Sequence, residues 1–148
     1  MQCYRQAANQ GDAAAQFRLG VAYKYGEGVE PSDEGAVQWY RQAADQGHAD
    51  AQFCLGVAYQ NGEGVKQSDK EAVRWYHEAA DQGNANAQFF MGLAYAYTYG
   101  DCVEKSDEGA VLWYQKAADQ GHADAQFFLG VAYEDGRGLK KSDEDTVR

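Results

Sequence analysis

The sequence predicts an all-α fold, a solenoid of stacked helix–turn–helix repeats, and three observations predict it. One 17-residue pattern recurs four times along the 148 residues. Inside each copy the apolar positions follow the 3.6-residue period of a helix. Most of the glycines fall between the periodic segments, and alanine, which loses no side-chain entropy in a helix, is abundant.

The repeat is legible by eye. AANQGDAAAQFRLGVAY runs over 7–23 and AADQGHADAQFCLGVAY over 43–59. AADQGNANAQFFMGLAY follows at 79–95 and AADQGHADAQFFLGVAY at 117–133. The steps are 36, 36 and 38 residues, and AVQWYRQAA, AVRWYHEAA and AVLWYQKAA recur in phase from Ala36, Ala72 and Ala110. A helical pair cannot bury its apolar stripe alone, so a period of this length implies neighbours that stack on one another. The expected organisation is one repeat domain over 1–148. It comprises the end of a helix B (1–11), repeats at 12–47 and 48–83, a repeat at 84–121 with a two-residue insertion, and a partial repeat at 122–148.

Each repeat divides into helices A and B. Helix A of the second repeat is predicted over Ala49–Asn61, with Ala51, Leu55, Ala58 and Tyr59 on its core face and Gly56 beside them for close approach. Helix B is predicted over Asp69–Gln82, with Ala72, Trp75, Tyr76, Ala79 and Ala80 on one side. Small residues facing Trp and Tyr would interlock, and truncating such a Trp to Ala costs ~3–5 kcal/mol in a packed core. The glycines of NGEGV (61–65) supply the positive φ of a helix C-terminus. Ser68 followed by Glu71 reads as a capping box; Ser32 and Ser106 read as weaker starts, because Gly35 and Gly109 stand where the reciprocal glutamate would be.

These residues resemble the Sel-1-like repeats, relatives of the tetratricopeptide repeats. The matching pattern is A-x-x-x-L-G-x-x-Y, then G-x-G-V, Asp, and A-x-x-W-Y-x-x-A-A-x-x-G. It stands here as Ala51, Leu55, Gly56, Tyr59, Gly62, Gly64, Val65, Asp69, Ala72, Trp75, Tyr76, Ala79, Ala80 and Gly83. The resemblance implies a right-handed superhelix of antiparallel helix pairs and adaptor or scaffold work, with peptides or proteins held on the concave face. The family includes secreted and periplasmic bacterial proteins and a component of endoplasmic-reticulum protein degradation, which leaves the compartment open. The family's cysteine-rich members bridge helices A and B by a regular cysteine pair, a pattern this chain lacks. Its third repeat departs from the others over 95–103, where Cys102 replaces a turn glycine and helix A or the loop must absorb two residues.

On helix A the face opposite the core carries Phe53, Val57 and Gln60, with Asn61 on its flank. Phe17, Phe53, Phe89 and Phe127 are identical in every copy, which fits packing between repeats better than recognition. Positions that differ between copies are the candidates for a partner-binding concave face. They are Arg18, Cys54, Phe90 and Phe128; Lys24, Gln60, Ala96 and Glu134; and Tyr25, Asn61, Tyr97 and Asp135. Phe90, Tyr97 and Tyr99 would make an aromatic centre for a peptide with one hydrophobic anchor.

A net charge of −10, from 23 acidic and 13 basic residues, argues against a nucleic-acid or anionic-membrane partner. No apolar run approaches the ~20 residues that span a bilayer. Cys3, Cys54 and Cys102 have neither paired nor CxxC spacing and are expected to be free thiols. His48 and His122 occupy one turn position, Asn84 and Asp12 stand there in the other copies, and His77 lies among polar positions of helix B. No metal site, cofactor or catalytic dyad is expected, and no enzymatic activity. Neither end reads as a polar capping helix, so the terminal repeats are expected to be uncapped and free to stack end to end. The predicted function is a protein- or peptide-binding scaffold. An architectural spacer, or a regulatory segment of a larger protein, is the alternative.

Overall fold

A computed structural model describes residues 2–97 and 103–136. Among them are helices α1 (Gln2–Asn9), α2 (Ala13–Tyr25), α3 (Asp33–Asp45), α4 (Ala49–Asn61), α5 (Asp69–Asp81), α6 (Ala85–Tyr97), α7 (Asp107–Asp119) and α8 (Ala123–Asp135), and no strand. Each helix packs against the next in the chain, so the structure is an all-α repeat solenoid. The even-numbered helices are the A helices and the odd-numbered ones the B helices. The insertion of the third repeat, with Tyr99 and Cys102, lies outside the described residues.

The helix starts have a common chemistry. Ser32, Ser68 and Ser106 each accept a hydrogen bond at Oγ from the backbone N–H three residues on, at 3.0, 3.2 and 2.9 Å. The reciprocal half of the expected capping box does not form at Ser68, since the Ser68 N–H donates to the Tyr59 carbonyl at 2.9 Å. The same bond holds Ser32 to Tyr23 and Ser106 to Tyr95, at 2.8 and 2.9 Å. The helix A backbone thus satisfies the donor that a glutamate would otherwise take, and the starts at Ser32 and Ser106 are no weaker for having Gly35 and Gly109.

The A helices begin on a residue that the sequence reading took only for a turn. The side chains of Asp12, His48, Asn84 and His122 each accept from the backbone N–H three residues later. Their identity changes while the acceptor remains, which is what an N-cap requires. Because Nδ1 is the acceptor in both histidines, their ring proton sits on Nε2, and His122 Nε2 lies 2.8 Å from Asn86 Oδ1.

The core is built from small residues against large ones. Leu19, Leu55 and Met91 are the largest fully buried side chains, surrounded by alanines of both helices. A Cβ on Gly56 would meet the Tyr76 ring at 2.7 Å, so glycine is what lets α4 and α5 approach this closely. Gly20 stands in the same relation to Tyr40, and Gly92 to Tyr114.

Two corrections to the expected core follow. Tyr59 is only half-buried, its hydroxyl accepting from Arg41 while the guanidinium lies 5.6 Å from its ring. The polar residue Gln52 is also inside, where the expected core face carried only apolar side chains. Its Nε2 donates to the Ala44 carbonyl at 3.2 Å and its Oε1 accepts from Gln82 Nε2 at 2.7 Å. Gln16 and Gln88 repeat the arrangement, bonded to Ala8 and Ala80 and receiving Gln46 and Gln120. Each glutamine satisfies a carbonyl near the end of one B helix and accepts from the next, so this ladder ties successive repeats together.

Candidate functional site

At every boundary between repeats the described residues leave a cleft in the same place. Its floor is the helix B tyrosine, one wall is the end of the preceding helix A, and the other is the middle of the following one. The cleft between the first and second repeats measures about 150 Å³. Ala36, Val37 and Tyr40 of α3 and Phe53, Cys54 and Val57 of α4 form its apolar lining; Lys24, Tyr25, Asp33 and Glu63 stand at its mouth.

The corresponding space between the second and third repeats is almost gone, at about 10 Å³. Phe90 occupies the position of Cys54 and stacks on Tyr76, with ring centroids 5.0 Å apart and planes 12° from parallel. It also lies against Phe53 and Phe89. Between the third and fourth repeats the cleft reopens to about 40 Å³, with Ala96 on one wall and Phe128 on the other. A shallower cleft of about 330 Å³ lies between α1 and α2, bounded by Tyr4, Arg18 and Val21.

The sequence-predicted positions therefore separate into groups. Lys24, Tyr25 and Cys54 come together in one cleft, Gln60 and Phe90 in the next, and Ala96, Tyr97 and Phe128 in the third. Arg18 lines the cleft beside α1. Asn61, Glu134 and Asp135 are exposed at the ends of α4 and α8 and line none of these. Phe90 is packed between repeats, so the open part of the array lies on either side of it. Sequence reasoning missed the contribution of helix B, namely Asp33, Val37 and Tyr40 and their equivalents. Its signal was the recurrence of Asp33, Asp69 and Asp107 at one repeat position.

The polar groups differ from cleft to cleft. Lys24 Nζ donates to Asp33 Oδ1 at 3.3 Å and to Glu63 Oε1 at 3.0 Å, joining helix A, helix B and the next repeat's turn. Burial works against the ammonium, but hydrogen bonds to Glu63 and Asp33 outweigh it and hold its pKa above the ordinary value. Burial, aided by Asp50, pushes the Cys54 thiol up to about 11. Burial also raises the phenol of Tyr40, which is hydrogen-bonded to Cys54. In the second cleft Tyr76 donates to Gln60 Oε1. In the third, Ala96 and Phe128 stand where those two partners would be, and the buried Tyr114 hydroxyl has no hydrogen-bond partner. Burial raises that phenol as well, so it is a neutral O–H donor at the cleft floor.

Three of the four invariant phenylalanines pack between repeats, whereas Phe127 on α8 is exposed. Phe17 stacks on His48 and Phe89 on His122, each pair with centroids 4.9 Å apart. Phe53, opposite Asn84 instead of a histidine, tilts against Phe90 and Tyr76. Cys3 and Cys54 are free thiols; Cys102 lies outside the described residues. His77 is exposed on α5 and lies 3.2 Å from Asp81. No helix among the described residues is long and apolar enough to cross a membrane.

Repeated helix pairs, a continuous small-residue core and clefts at each boundary define an α-solenoid repeat protein. The chain belongs to the Sel1 repeat family, whose model matches residues 1–12, 13–48, 49–84, 85–122 and 123–146. It is similar to the crystal structure of c5321, a protective antigen of uropathogenic Escherichia coli strains with an SLR fold. The identity is 42% and the TM-score 0.87, over 92% of this chain and 29% of that one. It is also similar to a Sel1 repeat protein from Oxalobacter formigenes, at 41% identity and TM-score 0.84, over 89% of this chain and 52% of that one. An immunity protein of Pseudomonas aeruginosa, PA5088, matches at 30% identity and TM-score 0.60, over 82% of this chain and 46% of that one. The chain thus spans about a third and about half of the first two proteins. No protein of curated function matches it significantly.

Proposed function

We propose that this chain is a protein- or peptide-binding module of a scaffold, holding its partner along the inter-repeat clefts of the concave face, and that it has no catalytic role of its own. The Sel1 repeat fold commonly serves as a protein-interaction scaffold, and that is the background to the reading. The observation that carries it is the cleft between the first and second repeats. Its place recurs between the repeats, while Lys24 and Cys54, which line it, differ from all their counterparts and Tyr25 from two of three. An architectural spacer has no need of an apolar recess whose opening is set by one changing residue. A volume near 150 Å³ admits one aliphatic or aromatic side chain, the kind of anchor that dominates interface energetics.

The test is a random peptide library displayed on phage and selected on the folded chain and on Cys54→Phe. Phenylalanine already stands at this position in the next two repeats, so the variant is expected to keep the fold while closing the cleft. Peptides enriched on the chain should bind Cys54→Phe at least about tenfold more weakly, the size expected when one buried anchor is lost. A library that enriches nothing on the folded chain would sink the scaffold reading.

A further inference from the structure

The two open clefts that flank Phe90 differ in chemistry, and together they describe a partner more closely than either does alone. Among the described residues lining the first, the only cation is Lys24, and it is already shared between Asp33 and Glu63. The mouth therefore keeps a surplus of negative charge around an apolar recess, on a chain whose net charge is −10. At the third boundary Ala96 replaces the lysine, leaving Asp107 at the rim without that counter-ion.

The floor of this third cleft carries the second observation. Tyr40, Tyr76 and Tyr114 are equivalent, and all three rings are buried against the glycine of helix A. The first two have hydroxyl partners, in Cys54 and Gln60. Tyr114 has none, although it is only 4% exposed, because both partner positions have become apolar. A buried donor left without a partner is destabilising, so an acceptor brought into the cleft recovers that cost on binding. Asp107 at the rim disfavours a carboxylate and favours a neutral acceptor. Between the two clefts Phe90 closes the second, so anchors must fall in alternate repeats.

We propose that the clefts at Cys54 and Tyr114 form one bipartite site for an extended cationic segment of another protein. The segment places an apolar side chain flanked by Lys or Arg in the Cys54 cleft. Two repeats further on it sets a small side chain with a neutral hydrogen-bond acceptor, such as Ser, Thr or Asn, against Tyr114. The inference rests on the scaffold reading above and specifies the partner chemistry of the same face.

The probes are four synthetic pools of blocked, fluorescein-labelled 20-residue peptides, measured by fluorescence anisotropy. Each pool has an apolar residue flanked by either Lys or Glu, and a distal half carrying either Ser/Asn or Ala/Val. The Lys pool with Ser/Asn should bind tightest, with affinity falling as salt screens the charges. Cys54→Phe should weaken it at least about tenfold. Tyr114→Phe should weaken it about three- to tenfold, the worth of one hydrogen bond. Tyr114→Phe should not weaken the Lys pool with Ala/Val, and that contrast separates recognition from a general loosening of the fold. Circular dichroism and melting curves check that both variants are folded. Equal binding of Glu and Lys pools, or unchanged binding to both variants, overturns the inference. So does the absence of binding by any pool; the scaffold reading then stands or falls separately on whether the phage library enriches other sequences.

Discussion

Residue by residue, this array is governed by what stands opposite the helix B tyrosine. Cys54 there leaves a recess, Phe90 fills it, and Phe128 opposite Ala96 leaves a smaller one in which the phenol has no partner. The Cys54–Tyr40 pair also links stability to alkaline pH. The thiol's folded pKa is raised from 9.0 to about 11, and Tyr40 and Tyr114 are raised above their usual 10.0. A raised pKa means that the folded chain keeps protons that the unfolded chain releases. The thiol's contribution is therefore complete below pH 9 and is lost as pH rises through about 11. Denaturant titrations from pH 8 to 11 should show stability falling, with Cys54 accounting for up to about 3 kcal/mol of it. Cys54→Ser should flatten the slope between pH 9 and 11; an unchanged slope would mean that the thiol is not buried as described.

Within the elements, the surprise is how little the helix starts depend on the local capping-box rule. Ser32, Ser68 and Ser106 make the same pair of bonds whether the third residue after them is glycine or glutamate. Ser32→Ala, Ser68→Ala and Ser106→Ala should therefore cost similar amounts, about 1 kcal/mol each. Guanidinium melts of the three variants check this, and a Ser68→Ala cost well above the other two would restore the capping box. The lengths and faces of the helices were legible in the sequence because a 3.6-residue stripe of Ala, Leu, Trp and Tyr leaves few alternatives. The start of helix A was not. Asp12, His48, Asn84 and His122 look unrelated until their shared acceptor is seen bonding the helix N-terminus.

For the whole molecule, the contacts between repeats decide cohesion. The glutamine ladder and the Phe17–His48 and Phe89–His122 stacks join each repeat to its neighbours. A stack coupled only through nearest neighbours is most stable where it has a neighbour on both sides. Native-state hydrogen exchange should find the slowest amides in α3, α4 and α5 and progressively faster exchange toward α1 and α8. Uniform protection from end to end would show instead that the array opens as one cooperative unit.

The sequence by itself determined the repeat, the helices, the small-against-large core and the set of varying positions in which the candidate site lies. It could do so because period and residue size act locally and recur in every copy. Only the tertiary structure decided which varying positions meet, because each cleft takes its walls from two repeats and its floor from a helix B between them. Phe90 illustrates the difference. By composition it belonged at the centre of an aromatic groove, but stacked on Tyr76 it closes the one cleft that separates the two open ones. Gln52 illustrates it in the other direction, a polar residue drawn into the core because a carbonyl of one repeat and an amide of the next both needed a partner there.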